Sequence, residues 1–297
     1  MIPEALAREG LGEIGGDPGR FKRSREISGP SGQSREKRHF RAIFISDIHL
    51  GTRGCNAELL LDFLKHTSSD YLYLVGDIID GWRLKKAWYW HPTHNDVIRK
   101  VLKKARKGTQ VIYIPGNHDE VLRDFVGNNL AGVEIARDAV HVTADGRRYW
   151  VLHGDEFDGI VRHAKWLAHL GDHAYNLLMK INNGLNIARR RLGYSYWSLS
   201  AFLKYKVKNA VEYISSFETA VAHEAARRGV DGVICGHIHH AEERMIGDIH
   251  YCNDGDWVES GTALVEHTDG RFEILFWADM VRANEEPAQL TFLEAAE

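Results

Sequence analysis

Seven residues with donor atoms suited to a divalent cation each come shortly after an apolar run of this chain. Asp47 and His49 lie in Ser46-Asp47-Ile48-His49, Asp77 follows Gly76, and Asn117 opens Asn117-His118-Asp119 after Ile114-Pro115-Gly116. His153 precedes Gly154-Asp155, and His237 and His239 lie in Gly236-His237-Ile238-His239. Carboxylate and amide oxygens mixed with imidazoles suit Mn²⁺, Fe²⁺ or Zn²⁺ better than Ca²⁺. Within Asp47/His49 and His237/His239 the donors are two apart, which puts both on one side of an extended segment. Asp77 is the expected bridge, because one carboxylate can hold two cations roughly 3.5–4 Å apart. A single Asp-x-His or Gly-Asp reads as a turn. Five such sites in order, each after an apolar run, read as a binuclear metal centre. Paired cations acidify water and clamp phosphoryl oxygens, so the chemistry to expect is phosphate-ester hydrolysis. His118 could donate a proton to the leaving oxygen or stabilise charge on the phosphoryl group. Asp119 is expected to orient His118, as a carboxylate often does for an imidazole.

Strands must carry these residues to a common mouth. Arg41 to Ile45, Tyr71 to Val75 and Val111 to Ile114 read as buried strands. Asn56 to His66 and Asn95 to Lys107 read as amphipathic helices between them, the second closed by Gly108. Glu120 to Phe125 starts a short helix. Val140–Val142 and Tyr149–Leu152 form a hairpin around Asp145-Gly146. From 159 to 228 prolines vanish and helical periodicity dominates, with local basic excess, which suggests a helical insert between two halves of an α/β core. Strands resume at Gly232–Cys235, Ile249–Cys252, Ala263–Glu266 and Phe272–Phe276. Residues 1–39 are rich in Gly, Ser, Arg and Glu and read as a disordered tail. The expected plan is therefore a tail, a core over 40–158 and 229–280, the insert over 159–228, and a second tail over 281–297.

Composition bounds the function. The 297 residues are 44% hydrophobic and 27% charged, which suits one large domain or a domain with an insert. A net charge of −3 gives no general attraction to nucleic acid, and no nucleic-acid partner is expected. Cys55, Cys235 and Cys252 are an odd number without CxxC spacing, so a reducing, cytosolic compartment is expected. No apolar run approaches the roughly 18 residues of a membrane span, and the first residues lack a signal-peptide pattern. Peripheral membrane contact stays open.

Taken together, Asp47-Ile48-His49, Gly76-Asp77, Gly116-Asn117-His118-Asp119, His153-Gly154-Asp155 and Gly236-His237-Ile238-His239 resemble the calcineurin-like metallophosphoesterase superfamily. That resemblance implies a four-layer αββα sandwich with two metals at the strand ends. It implies that Asp47, His49, Asp77 and His239 hold one ion, and that Asp77, Asn117, His153 and His237 hold the other. Gly76-Asp77-Ile78-Ile79-Asp80-Gly81-Trp82, the helical insert and Gly255-Asp256-Trp257 are similar to the UDP-2,3-diacylglucosamine diphosphatase family. In that family the pyrophosphate of a lipid-linked nucleotide is cleaved to UMP and a lipid 1-phosphate, and the insert is a lid over acyl chains. Two departures qualify the match. An Arg of that family is replaced here by His118, the form of the wider superfamily, and the insert does not align cleanly.

The expectation is a cytosolic hydrolase, peripheral at the inner membrane, with two divalent ions, Mn²⁺ foremost and Fe²⁺ or Zn²⁺ as alternatives. Arg190, Arg191, Lys204 and Lys208 are candidate phosphate contacts. Trp82 and Trp197 are candidates to stack on a base or pack on acyl chains. The competing readings are a general phosphodiesterase or nuclease on the same centre, and a non-catalytic binding scaffold.

Overall fold

A computed structural model describes residues 37–159 and 199–283; the side chains of 199–212 lie outside the description. The first sheet has seven strands. β1 (Arg38–Ile45), β2 (Thr67–Val75), β3 (Gln110–Ile114) and β5 (Val133–Ile135) run parallel in that order. β4 (Asn129–Leu130) closes one edge antiparallel to β5, while β11 (Thr262–Glu266) and β12 (Phe272–Phe276) extend the other beyond β1. The second sheet has five strands in the order β6 (Ala139–Val142), β7 (Arg148–Val151), β8 (Gly232–Cys235), β10 (Ile249–Asn253) and β9 (Glu242–Ile246).

Side-chain alternation explains why the central strands read as continuous apolar runs. In β1, Ile43 and Ile45 face one core while Ala42 and Phe44 face another. Leu72 and Leu74 of β2, and Val111 and Tyr113 of β3, join the first set; Tyr73, Val75, Ile112 and Ile114 join the second. A parallel sheet covered on both faces has no solvent side to carry polar residues. The outer cover is α1 (Ala57–His66), through Leu60, Phe63 and Leu64, with α3 (Pro92–Arg106), through Val97 and Val101. A short α2 (Gly81–Lys86) precedes α3, with Asp80 accepting from the Arg83 amide as its cap.

The far layer is α4 (Leu199–Arg227). It buries Phe217, Val221, Ala222 and Ala225 against Trp150, Val233 and Tyr251 of the second sheet. That spacing is one face of a helix. The four layers are thus helices, sheet, sheet, helix, as the resemblance implied. The C-terminal half of α4 is itself a core layer, inside the 159–228 range expected for the insert. Residues 160–198, with Arg190, Arg191 and Trp197, lie outside the described residues, as do 1–36 and 284–297 of the two expected tails; the tail expected over 1–39 is corrected at its end, where Arg38 and His39 already pair in β1, and 281–283 are helical. Cys55, Cys235 and Cys252 are free thiols. Among the described residues no helix is long and apolar enough to cross a membrane.

Candidate metal centre

β1, β2 and β3 end side by side, and the chain turns sharply at each end. The Asp47 amide donates to the Gly76 carbonyl at 3.0 Å, and the Ile48 and His49 amides donate to the Asp77 carbonyl at 3.0 and 2.9 Å. The loops after β1 and β2 are thereby laced together. From the second sheet, the loops after β7 and β8 are joined by the Gly236 amide donating to the His153 carbonyl at 3.2 Å. Among the described residues, six that are not glycine have positive φ, and five of them are Asp47, His49, Asp77, His237 and His239; the sixth is Ala131. Each such residue costs roughly 1–3 kcal/mol and persists only where its surroundings hold it, a pattern that marks functional turns.

The side chains converge. The donor atoms of Asp47, His49 and His239 lie within 4.8 Å of one another, as do those of Asp47, Asp77 and His153 and those of His49, Asp77 and His118. His239 Nε2 stands 3.1 Å from Asp47 Oδ1, His153 Nε2 3.4 Å from Asp77 Oδ2, and His49 Nε2 3.8 and 3.9 Å from Asp47 and Asp77. Asp47, His49 and Asp77 each belong to two of the three groups, and Asp77 is the carboxylate that faces both His49 and His153. Gly116 and Gly236 are small because they have to be. A Cβ on Gly116 would lie 2.3 Å from Asp77 Oδ1 and 2.7 Å from His153 Nε2, and one on Gly236 would lie 2.7 Å from Asp47 Oδ2.

These residues suit a pair of divalent cations. Asp47 Oδ1, Asn117 Oδ1 and His153 Nε2 are buried and take part in no hydrogen bond, although a buried polar atom left unpaired costs about 1–3 kcal/mol. His153 Nδ1 lies 2.8 Å from the Val75 carbonyl. That contact fixes the proton on Nδ1 and leaves the Nε2 lone pair for a metal. The field is strongly negative. Burial pulls the His153 pKa down, but Asp77, Asp47 and Asp155 push it up to about 10. Burial raises the Asp47 carboxyl, yet the close approach of His239 and the charge of His153 hold it well below the usual carboxylate range. Burial likewise opposes His153 at Asp77, whose pKa is also lowered.

The family model for calcineurin-like phosphoesterases matches residues 40–241, more than half of the chain. The chain belongs to that family. It is a metal-dependent phosphoesterase with the family's two-sheet fold, and the family implies a dimetal centre where these residues converge. A UDP-2,3-diacylglucosamine hydrolase of Xanthomonas axonopodis pv. citri is 27% identical over 241 residues, 77% of this chain and 96% of that one. The DNA polymerase II small subunit of Methanothermobacter thermautotrophicus is 24% identical over 194 residues, 54% of this chain and 40% of that one. Among solved structures, the E. coli phosphoesterase Yfce matches 79% of this chain and 98% of its own, with 15% identity and a TM-score of 0.38.

The structure departs from expectation at two residues, Asp119 and His237. Asp119 does not orient His118. Its carboxylate accepts from the Gly116 amide at 2.6 Å, the Ile78 amide at 2.8 Å and the Tyr113 hydroxyl, so both of its oxygens tie the loop together. Burial and the neighbouring Asp77 leave its pKa raised despite the Tyr113 bond. Asp80 takes the orienting position: its Oδ1 stands 3.0 Å from His118 Nδ1 and its Oδ2 3.3 Å from His49 Nδ1. His237 packs its ring against His153, centroids 5.1 Å apart, but turns Nε2 to Asp158 Oδ1 at 2.8 Å and so stands outside the three clusters. Trp82 lies over His118, ring centroids 4.4 Å apart, and is nearly half exposed. Lys204 and Lys208 fall on the part of α4 without described side chains. Asp158 escaped sequence reasoning altogether. The signal for Asp80 was its place three residues after Asp77, one turn of chain from a ligand.

Proposed function

We propose that this phosphoesterase hydrolyses the pyrophosphate of a lipid-linked nucleotide, with UDP-2,3-diacylglucosamine, giving UMP and the lipid 1-phosphate, as the leading substrate. The observation that carries the reading is the match with a hydrolase named for that substrate over 96% of its length, with the metal-binding turns inside the matched family region. Mn²⁺ is the proposed ion at both positions, from the mixture of carboxylate, amide and imidazole donors. Asp47, His49, Asp77 and His239 would hold one ion, and Asp77, Asn117, His153 and His237 the other. Bound there, the pair would supply hydroxide at neutral pH and neutralise phosphoryl oxygens.

The chain's own residues then have defined tasks. Asp77, facing both His49 and His153, would be the ligand shared by the two positions. His118, held by Asp80 and covered by Trp82, sits at the rim of the cluster, 4.0 Å from Asp77 Oδ2, where a leaving oxygen would need a proton. The exposed face of Trp82 offers a flat apolar surface to a base or an acyl chain. Arg190, Arg191, Lys204, Lys208 and Trp197 are proposed substrate contacts of the insert, and the enzyme is proposed to work at the cytoplasmic face of the inner membrane.

A second reading, a phosphodiesterase for water-soluble diesters, is favoured by His118 standing where the lipid-processing family carries Arg. One assay separates the two. The Mn²⁺-loaded protein is given UDP-2,3-diacylglucosamine in detergent and, in parallel, an aryl phosphodiester. Rapid UMP release, lost in Asp77→Ala, is expected. Turnover of the soluble diester alone would reject the lipid substrate and leave the dimetal chemistry standing. A non-catalytic scaffold would turn over neither, against the retention of every expected ligand position.

A further inference from the structure

The N-terminal ends of β1, β2 and β3 lie at the edge of the first sheet opposite the metal centre. At ~3.3 Å per residue, the length of β1 puts about 25 Å between them. A cleft of about 590 Å³ opens at that edge, lined in part by Lys37, Ser69, Tyr71, Lys104, Lys107 and Thr109. Two other basic side chains there are already engaged. Arg41 donates to Glu266 at 2.7 Å, and His39 stands 3.5 Å from Asp70. Lys37, Lys104 and Lys107 have no carboxylate partner among the described residues.

Two buried groups face this cleft with bonding capacity to spare. Lys104 is only 7% exposed, and its ammonium donates to the Thr67 carbonyl at 2.7 Å, one use of three hydrogens. Ser69 is 5% exposed, and its hydroxyl has no hydrogen-bond partner. A buried ammonium without a counter-ion is costly, and an anion in the cleft would offset that cost. The cleft falls within the roughly 300–1,000 Å³ of small-molecule sites, much larger than one phosphate needs. Tyr71, with the Arg41 guanidinium 5.5 Å from its ring centre, supplies a flat wall.

We propose that this cleft is a second ligand site, separate from the metal centre, for a phosphate-bearing small molecule with a ring, such as a nucleoside monophosphate. Lys37, Lys104 and Lys107 meet the phosphate, Ser69 donates to it, and Tyr71 lies along the ring. Occupancy is coupled to the charge on Lys104. Burial first, then Lys37 and Lys100, bring its pKa down to about 7. Below that pH the ammonium is charged and the anion binds well; as pH rises above it the site loses that charge. The surrounding charged groups are Lys37, His39 and Arg41 of β1, Asp70 and Tyr71 of β2, Lys65 of α1, and Lys100, Lys103 and Lys107 on or just after α3.

The test is calorimetric titration of the Mn²⁺-loaded full chain with 5′-AMP at pH 6.5 and 8.5. Binding at least fivefold weaker at the higher pH is expected. Lys107→Glu, an exposed position that leaves the fold intact, should weaken binding at least tenfold and leave phosphodiester turnover unchanged. Asp77→Asn should leave this binding unchanged. Lys104→Gln should abolish the pH dependence, which separates Lys104 from His39. No binding at millimolar 5′-AMP would overturn the proposal, as would binding that survives Lys107→Glu but is lost in Asp77→Asn. Phosphatidylcholine vesicles containing phosphatidic acid form the other arm. Lys107-dependent vesicle binding without 5′-AMP binding would assign the site to a lipid headgroup and overturn the small-molecule reading.

Discussion

Asp77, Asp80 and Asp119 are three carboxylates within hydrogen-bonding reach of the same turn, and their surroundings give them different work. Asp77 faces the imidazoles of His153, His49 and His118, so its loss removes the shared ligand. Asp77→Asn is expected to cut turnover at least ~1,000-fold, on the scale of lost metal activation and transition-state charge stabilisation. Metal analysis should show at least one ion fewer per chain. Asp80 touches no substrate position but holds His118 and His49 by their far nitrogens. Asp80→Asn should lower kcat roughly 10–100-fold, the usual cost of losing a partner that orients an imidazole. Asp119 is spent on the Gly116 and Ile78 amides and the Tyr113 hydroxyl. In Asp119→Asn an amide NH₂ would face backbone donors, so a stability loss of about 1–3 kcal/mol is expected. Urea unfolding checks it. If Asp119→Asn changed the pH profile of kcat and not the unfolding midpoint, the division of labour between Asp80 and Asp119 would be wrong.

At the scale of elements, the turns at the strand ends position the site, and glycine sets how closely they approach. Gly116→Ala would push a methyl into Asp77 and His153, at 2.3 and 2.7 Å. It should cost at least tenfold in metal affinity and activity. Gly54→Ala, whose Cβ would meet only Val258 at 3.6 Å, is the control and should stay within about a factor of two, by the same activity and metal-binding measurements. The strands that carry the turns were legible because burial on both faces turns β1, β2 and β3 into unbroken apolar runs, and the convergence of Asp47, His49, Asp77, His153 and His239 followed from their order after those runs. The elements that escaped are those whose form comes from tertiary context. β9 (Glu-Glu-Arg-Met-Ile) is a mostly exposed edge strand with charges where alternation would be sought. β4 and β5 are two and three residues long, and α2 owes its start to the Asp80 cap. The role of Asp119 was misread for a related reason. Adjacency to His118 suggested contact, but a turn sends neighbouring side chains in different directions.

At the scale of the whole molecule, the two sheets are joined by a buried polar knot as well as by apolar packing. Glu266 of β11 is fully buried. Its carboxylate accepts from Arg41 of β1 at 2.7 Å and from the Ala144 amide at 2.8 Å, and it stands 2.7 Å from His141 of β6. His141 also meets the Tyr73 hydroxyl of β2 at 3.1 Å. Burial alone would raise the Glu266 pKa, but the contacts with His141, Ala144 and Arg41 more than offset this and lower it below its ordinary 4.5. A carboxyl with a depressed folded pKa contributes stability that is fully present above the unfolded value and is lost as pH falls through the folded value. The contribution should therefore hold from neutrality down to about pH 4.5 and decline below it. Glu266→Gln keeps the shape and removes the charge, so it should cost about 1–3 kcal/mol at pH 7. The gap between variant and parent in urea unfolding should narrow as pH drops below 4.5, because protonation then makes the parent resemble the variant. A gap that stays constant from pH 7 to pH 3 would mean that the knot contributes by packing alone and that the charge on Glu266 does not help to hold the sheets together.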